Sequence, residues 1–247
     1  MRKRRFLVGF LLGIMIVSCI VVFAQDKYFI PRKRMVEDKI AGYGIINTKI
    51  IKAFLRVPRQ EFVLPEYKEQ AYEDKHIPIG EDNNLCRPYI AALMTKLLDL
   101  HGDEKVMELG TGSGYHSAIL SLLCKEVYTV DISETMKQAA EERLKKLGYD
   151  NVFCRLGEGT LGWPEEAPFD AIIVGFAADS IIPELVSQLK EGGKLIIPVG
   201  GETQQLKLVT KKDGEVVVKD VISVQFVPMM KSLETNAEAE EGYGQRN

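Results

Sequence analysis

The chain has few of the residues that declare chemistry on their own. Its four cysteines, Cys19, Cys86, Cys124 and Cys154, are joined by no CxxC or His/Cys ligand spacing, which argues against a zinc site and a disulfide-dense scaffold. Cys124, in an apolar helical stretch, and Cys154, on an alternating segment, read as small buried hydrophobes. There is no basic excess: 32 Lys and Arg face 35 Asp and Glu for a formal charge of −3. That balance argues against a nucleic-acid partner. With 27% charged and 46% hydrophobic residues over 247 positions, the chain is neither collagen-like nor disordered, and its length suits one α/β domain with attachments.

The charge average conceals an unusual amino end. Arg2 to Arg5 precede Phe6 to Ala24, nineteen residues without a charge. A cleaved signal peptide has this layout, with Val22 and Ala24 as the small residues before the cut. Ile16-Val17-Ser18-Cys19 resembles a lipobox, although the residues after Cys19 stay apolar. An uncleaved anchor fits as well, because nineteen helical residues reach about 28 Å. Residues 6–24 therefore predict a membrane-associated or exported protein.

Further on, residues 30–35 read as a basic, Pro-containing linker, and Val36 to Leu55 carry apolar residues near helical spacing until Pro58. Phe62 to Cys86, with Pro65, Pro78, Gly80 and a polar run at 81–84, reads as loop. Pro88 suits a helix N-terminus, with Ile90, Leu93, Met94, Leu97 and Leu98 on one face and Gly102 as the stop. From Lys105 strands and helices alternate: strands at 105–109, 127–131, 152–156, 171–174 and 194–199, helices at 115–123, from Ser133 to Gly148, and at 183–189. Such βα units predict a Rossmann-like, doubly wound, mostly parallel seven-stranded sheet. Leu206 to Thr210 and Val216 to Val224, around Lys211-Lys212-Asp213-Gly214, add a C-terminal β-hairpin. Residues 233–247 read as a flexible tail.

The loop Glu108-Leu109-Gly110-Thr111-Gly112-Ser113-Gly114-Tyr115 joins the first of these strands to its helix, where glycines let backbone approach a ligand. A dinucleotide fingerprint would need a third glycine at 115, and a P-loop would need Gly-Lys-Ser/Thr; neither is present. Asp131, at the end of the second strand, can accept hydrogen bonds from two ribose hydroxyls. A helix N-terminal acid beside Ser133 is the competing role for it.

An E-x-G-x-G-x-G loop with an acidic second strand resembles the S-adenosylmethionine-dependent methyltransferase fold. That resemblance implies S-adenosylmethionine as cofactor, with Glu108, Gly110, Thr111, Gly112 and Gly114 around its methionine part, Asp131 on the ribose, and Gly157, Glu158 and Gly159 near the adenine. Arg56-Val57-Pro58-Arg59-x-Glu61-Phe62-Val63, Ala71-Tyr72-Glu73-Asp74, Pro88 to Met94, Leu161-Gly162-Trp163-Pro164 and Pro198-Val199-Gly200 further resemble the protein-L-isoaspartate (D-aspartate) O-methyltransferase family. The resemblance implies methyl transfer to the free carboxylate of isoaspartyl residues in damaged proteins or peptides, starting their repair. It also implies a monomer, no metal and, by family habit, the cytoplasm as the alternative location. A carboxylate is already ionised at neutral pH, so no general base is needed, and His76, His101 and His116 need no catalytic role.

One departure stands out. Where the family has Thr-Ile-Ser-Gln-Pro, this chain has Asn84-Leu85-Cys86-Arg87-Pro88, so Cys86 takes the place of the active-site serine with a weaker donor. By the same resemblance Leu85, Arg87, Ala177, Ala178, Pro198 and Val199 border the substrate, and Arg87 could pair with a carboxylate. Two rivals follow: a non-catalytic S-adenosylmethionine-binding module, or a methyltransferase for a different carboxylate. The expected layout is a signal peptide or anchor at 1–29, a helical and loop region shaping the substrate side at 30–104, a cofactor-binding core at 105–232, and the tail.

Overall fold

The computed structural model describes residues 26–229. Of the leader expected at 1–29, residues 1–25, including Cys19, lie outside them, as does the tail expected from 233. Among the described residues no helix is long and apolar enough to cross a membrane.

The segment read as a linker is helical instead: α1 spans Phe29–Lys39. Pro31 sits in its first turn, where a missing N–H costs no intrahelical bond, and Arg32, Met35 and Val36 turn one face inward. The expected helix over 36–55 is accordingly split, because Gly44 takes a left-handed φ of 85° and a second helix, α2 (Thr48–Arg56), starts afresh. The Asn47 side chain caps α2 by accepting the N–H groups of Lys49 and Ile50. The expected loop at 62–86 contains an antiparallel hairpin, β1 (Ile77–Gly80) and β2 (Asn83–Leu85). Its turn places Glu81 and Asp82 at positive φ, while Ile77 and Leu85 are buried at its base. Pro88 does open α3 (Pro88–Leu98), but Asp99 in the left-handed region, rather than Gly102, ends it.

The core follows as β3 (Lys105–Leu109), α4 (Tyr115–Ser121), β4 (Glu126–Asp131), α5 (Glu134–Lys146), β5 (Val152–Leu156), β6 (Phe169–Val174), α6 (Pro183–Ser187), β7 (Leu189–Val199), β8 (Gln204–Lys212) and β9 (Glu215–Val224). The strand order is β5-β4-β3-β6-β7-β8-β9. β3 to β7 run parallel to one another, whereas β8 pairs antiparallel with both β7 and β9. Asp213 and Gly214 both adopt positive φ in the last hairpin, as a tight two-residue turn requires. Alternate residues go to opposite faces: Met107, Leu109, Ile172, Val174 and Leu195 pack on one, Val106, Ala171, Ile173 and Ile196 on the other. Burying each contributes about 1.5–3 kcal/mol for the larger side chains. A third cluster ties the amino-terminal helices to the core: Phe54 and Phe62 meet the Tyr115 ring edge-on at 6.2 and 5.6 Å. Cys124 is buried as expected, whereas Cys154 is only half-buried.

Candidate active site

β3 lies between β4 and β6, so the chain leaves β3 in one direction and returns beside it from the other. The loops after β3 and β6 diverge there, and a crevice opens at the strand carboxyl ends, where doubly wound sheets bind ligands. The Gly175 N–H donates to the Leu109 carbonyl at 2.8 Å, fixing the two loops at its floor. A cavity of about 390 Å³ runs from Glu108 and Gly110 to Leu85 and Cys86. A smaller one of about 110 Å³ continues it past Gly112 to Asp131, Gly159 and Phe176, sharing Ile79, Asn84 and Gly175 with the first.

At the Asp131 end, backbone conformation sets the geometry. Gly110 and Gly112 have φ of 87° and 52°, values costly for a residue with a Cβ. They turn the Gly112 N–H onto Asp131 Oδ2 at 2.8 Å, while Asp131 Oδ1 accepts from the Ser133 N–H at 3.0 Å. The cap of α5 is Ser133 itself, whose hydroxyl accepts the Met136 N–H, so Asp131 is tied to the glycine loop. Each Asp131 oxygen keeps lone pairs for a further donor, and burial raises its pKa. Glu108, 3% exposed, accepts from the hydroxyls of Ser117 and of Thr129, the latter at 3.0 Å. Burial pushes its carboxyl up to about 7. Thr111 joins this set through its hydroxyl, 2.7 Å from that of Thr129. The Ser113 hydroxyl is buried on the cavity wall with no hydrogen-bond partner among the described residues.

The remaining expected cofactor residues part company. Gly159 borders the crevice so closely that a Cβ there would stand 2.6 Å from Phe176 Cζ. Gly157 and Glu158 line a separate groove with Arg155 and Gly162. Gly114 caps α4 and faces Leu144 and Ala140 of α5.

At the other end, side chains set the geometry. Leu85 and Cys86 line the cavity. Burial pushes the Cys86 thiol up to about 12, against the pull of Arg59 and Arg87, so it stays protonated as a weak donor. Arg59, fully buried, donates from Nε to the Ala71 carbonyl and from Nη2 to the Cys86 carbonyl, both at 2.7 Å. Its guanidinium also stands 4.7 Å from the Tyr115 ring centre. Arg87 is outside the cavity lining and engages Asp74, with Nη2 to Oδ2 at 2.8 Å and Nε to Oδ1 at 3.3 Å.

Ala177, Ala178, Pro198 and Val199 act at one remove. The Ala177 N–H donates to the Val227 carbonyl at 2.9 Å, its carbonyl accepts from Met229 at 2.8 Å, and Ala178 donates to Pro198 at 3.0 Å. Ala177 thereby secures residues 225–228, which line the cavity, while Ala178 is held on β7 through Pro198 and Val199. Sequence reasoning missed the strip at 225–228, together with Ile79, Gly175 and Phe176, and it assigned no role to Ser113 and Tyr115 although both lie within the glycine loop it singled out. His76 and His116 line the same cavity, whereas His101 is exposed beside Glu104.

The profile of the protein-L-isoaspartate(D-aspartate) O-methyltransferase (PCMT) family matches residues 31–234. The chain belongs to this family. A protein-L-isoaspartate O-methyltransferase of Dictyoglomus turgidum is 47% identical over 208 residues, covering 84% of this chain and 94% of that protein. One from Myxococcus xanthus is 47% identical over 197 residues, 78% and 93% of the two chains. Among solved structures, a Plasmodium falciparum chain assigned as a protein-L-isoaspartate O-methyltransferase, in complex with S-adenosyl-L-homocysteine, superposes with a TM-score of 0.72 at 25% identity. That match covers 81% of this chain and 99% of the other. The enzyme's cofactor is S-adenosylmethionine, and the crevice suits it: an elongated cavity, a carboxylate with free lone pairs at one end, and an unpartnered buried hydroxyl, Ser113 Oγ, in its wall.

Proposed function

We propose that the enzyme methylates the free carboxylate of L-isoaspartyl and D-aspartyl residues in damaged proteins, with S-adenosylmethionine as donor. The observation that carries this is the continuous crevice that joins the Asp131 end to Leu85 and Cys86. When bound, the cofactor supplies a methyl group on a cationic sulfur. Asp131 would hold its ribose hydroxyls, Gly159 and Phe176 would flank the adenine, and Glu108, Gly110, Thr111, Gly112 and Ser113 would surround the methionine part. Gly114, Gly157 and Glu158 act from behind, by shaping the glycine loop and the turn that leads to Gly159.

The acceptor carboxylate is ionised without help, because its ordinary pKa lies near 4. The protein's task is therefore to hold an oxygen in line with the methyl carbon at about 3–3.5 Å and to exclude water. Leu85, the Cys86 thiol and the roof at 225–228 form that end, placed by Arg59 from below and by Ala177, Ala178, Pro198 and Val199 from the side. Pairing of Arg87 with Asp74 speaks against Arg87 as the group that orients a foreign carboxylate. Residues 30–104 shape the acceptor side and 105–232 hold the cofactor, in a chain that works as a monomer. The apolar run 6–24 delivers this domain to a membrane or through it, the family's cytoplasmic habit being the alternative, which protease protection of a carboxyl-terminal tag in intact cells distinguishes.

The test is methyl transfer from labelled S-adenosylmethionine to an isoaspartyl peptide and to its normal aspartyl counterpart. The isoaspartyl peptide alone should yield a base-labile methyl ester. Cofactor binding without ester would favour a binding module, and ester only on other acids would favour a different carboxylate.

A further inference from the structure

Thr95 of α3 and His116 of α4 meet at the crevice wall and take no part in the chemistry above. The Thr95 Oγ1 lies 2.8 Å from the Ala91 carbonyl and 2.8 Å from His116 Nε2. A hydroxyl has one proton to give. The Ala91 carbonyl can only accept, so that proton goes to it, and the Thr95 oxygen faces His116 as an acceptor. Nε2 must then carry the imidazole hydrogen. Thr95 is 1% exposed, which keeps water from offering its hydroxyl another partner.

The consequence falls on the other nitrogen. Nδ1 holds the lone pair of a neutral ring, and no described residue forms a hydrogen bond to it. The ring lines the same cavity as Cys86, Glu108 and Ser113. We propose that His116 Nδ1 is a positioning acceptor for an N–H donor bound in the crevice, either the α-ammonium of the cofactor or a peptide N–H beside the acceptor carboxylate. This rests on the reading of the crevice as the methyl-transfer site. Burial, with the Arg59 cation adding to it, pushes the ring down to about 4, which keeps the lone pair free at neutral pH. A charged ring would instead pair with the acceptor carboxylate and draw off the electrons that attack the methyl group.

Nitrogen-15 NMR of the full chain labelled at histidine reads this directly, since three histidines are present and His116→Gln assigns the signal. Nε2 should appear protonated and Nδ1 unprotonated, and the Nδ1 shift should move on adding S-adenosylhomocysteine or the isoaspartyl peptide. His116→Leu should raise the S-adenosylhomocysteine Kd about tenfold if the donor is the ammonium, or the peptide KM about tenfold if it is the peptide, with kcat within about twofold. His116→Gln, whose amide oxygen accepts, should restore most of the loss. A proton on Nδ1, or an Nδ1 shift unmoved by both saturating ligands, would overturn the assignment while methyl transfer by the wild type stood. Absence of transfer by the wild type would remove the underlying reading, and the assignment with it.

Discussion

The two ends of the crevice are built by different means. At the Asp131 end a short run of backbone at positive φ delivers one N–H to a carboxylate, and both N–H groups that Asp131 accepts come from the turns that follow β3 and β4. At the Cys86 end, residues far apart in the chain are held by one buried cation, Arg59, which joins the carbonyls of Ala71 and Cys86. A site fixed by local backbone tolerates change around it. One fixed by a single buried guanidinium fails as a unit, because loss of the cation strands two carbonyls at once.

Arg59→Met should therefore give the largest effect. Two unpaired buried carbonyls and an imperfect fill cost about 2–5 kcal/mol of folding stability, read by urea unfolding. In protein that remains folded, the isoaspartyl-peptide KM should rise while the S-adenosylhomocysteine Kd stays within about twofold. Equal losses of both affinities would erase the division between the ends. Next in size, Asp131→Asn puts an NH₂ where an oxygen now accepts a backbone N–H, and should weaken S-adenosylhomocysteine by about 2 kcal/mol, roughly thirtyfold. Calorimetry checks this, and the backbone N–H left without an acceptor should also lower the thermal midpoint by a few degrees.

Glu108 adds a pH dependence confined to the cofactor end. Burial raises its folded-state pKa from the ordinary value of 4.5 to about 7, so the folded protein holds this proton more tightly than the unfolded chain does. Stability from this group is fully present below about 4.5 and is lost as pH rises towards 7 and above. Glu108→Gln should consequently match the wild-type melting temperature near pH 4.5 and exceed it at pH 8; a gap of the same size at both would refute the assignment. The smallest effect belongs to Cys86→Ser. A hydroxyl is a better donor than a protonated thiol, so ester formation on the isoaspartyl peptide should stay level or rise, by no more than about fivefold. A large loss would mean that the thiol has acquired a role of its own.

The same division explains what could be read from the sequence. The glycine loop, Asp131, the Ser133 cap and the Asp213-Gly214 turn were legible because local backbone demands dictate those residue types, and the alternating pattern of strands dictates the sheet. Hairpin β1–β2 was not. Pro78, Gly80 and the polar run at 81–84 display turn chemistry, while the burial of Ile77 and Leu85 that stabilises the strands depends on distant partners. Helix α1 was hidden by Pro31, which disrupts a helix interior but not a first turn. Arg59 lay within a motif, yet nothing in its neighbourhood announces that it reaches Ala71 and Cys86. The roof at 225–228 follows β9 without a distinctive residue, and the pairing of Ala177 with Val227 and Met229 that brings it over the site is purely tertiary.

The most direct test of the two-ended crevice is a crystal structure of the enzyme with S-adenosylhomocysteine. The account predicts both ribose hydroxyls within hydrogen-bond distance of Asp131, the adenine against Phe176 and Gly159, and the sulfur directed along the cavity towards Leu85 and Cys86. A ligand seated instead in the groove of Arg155, Glu158 and Gly162, or one whose sulfur points away from Cys86, would contradict it.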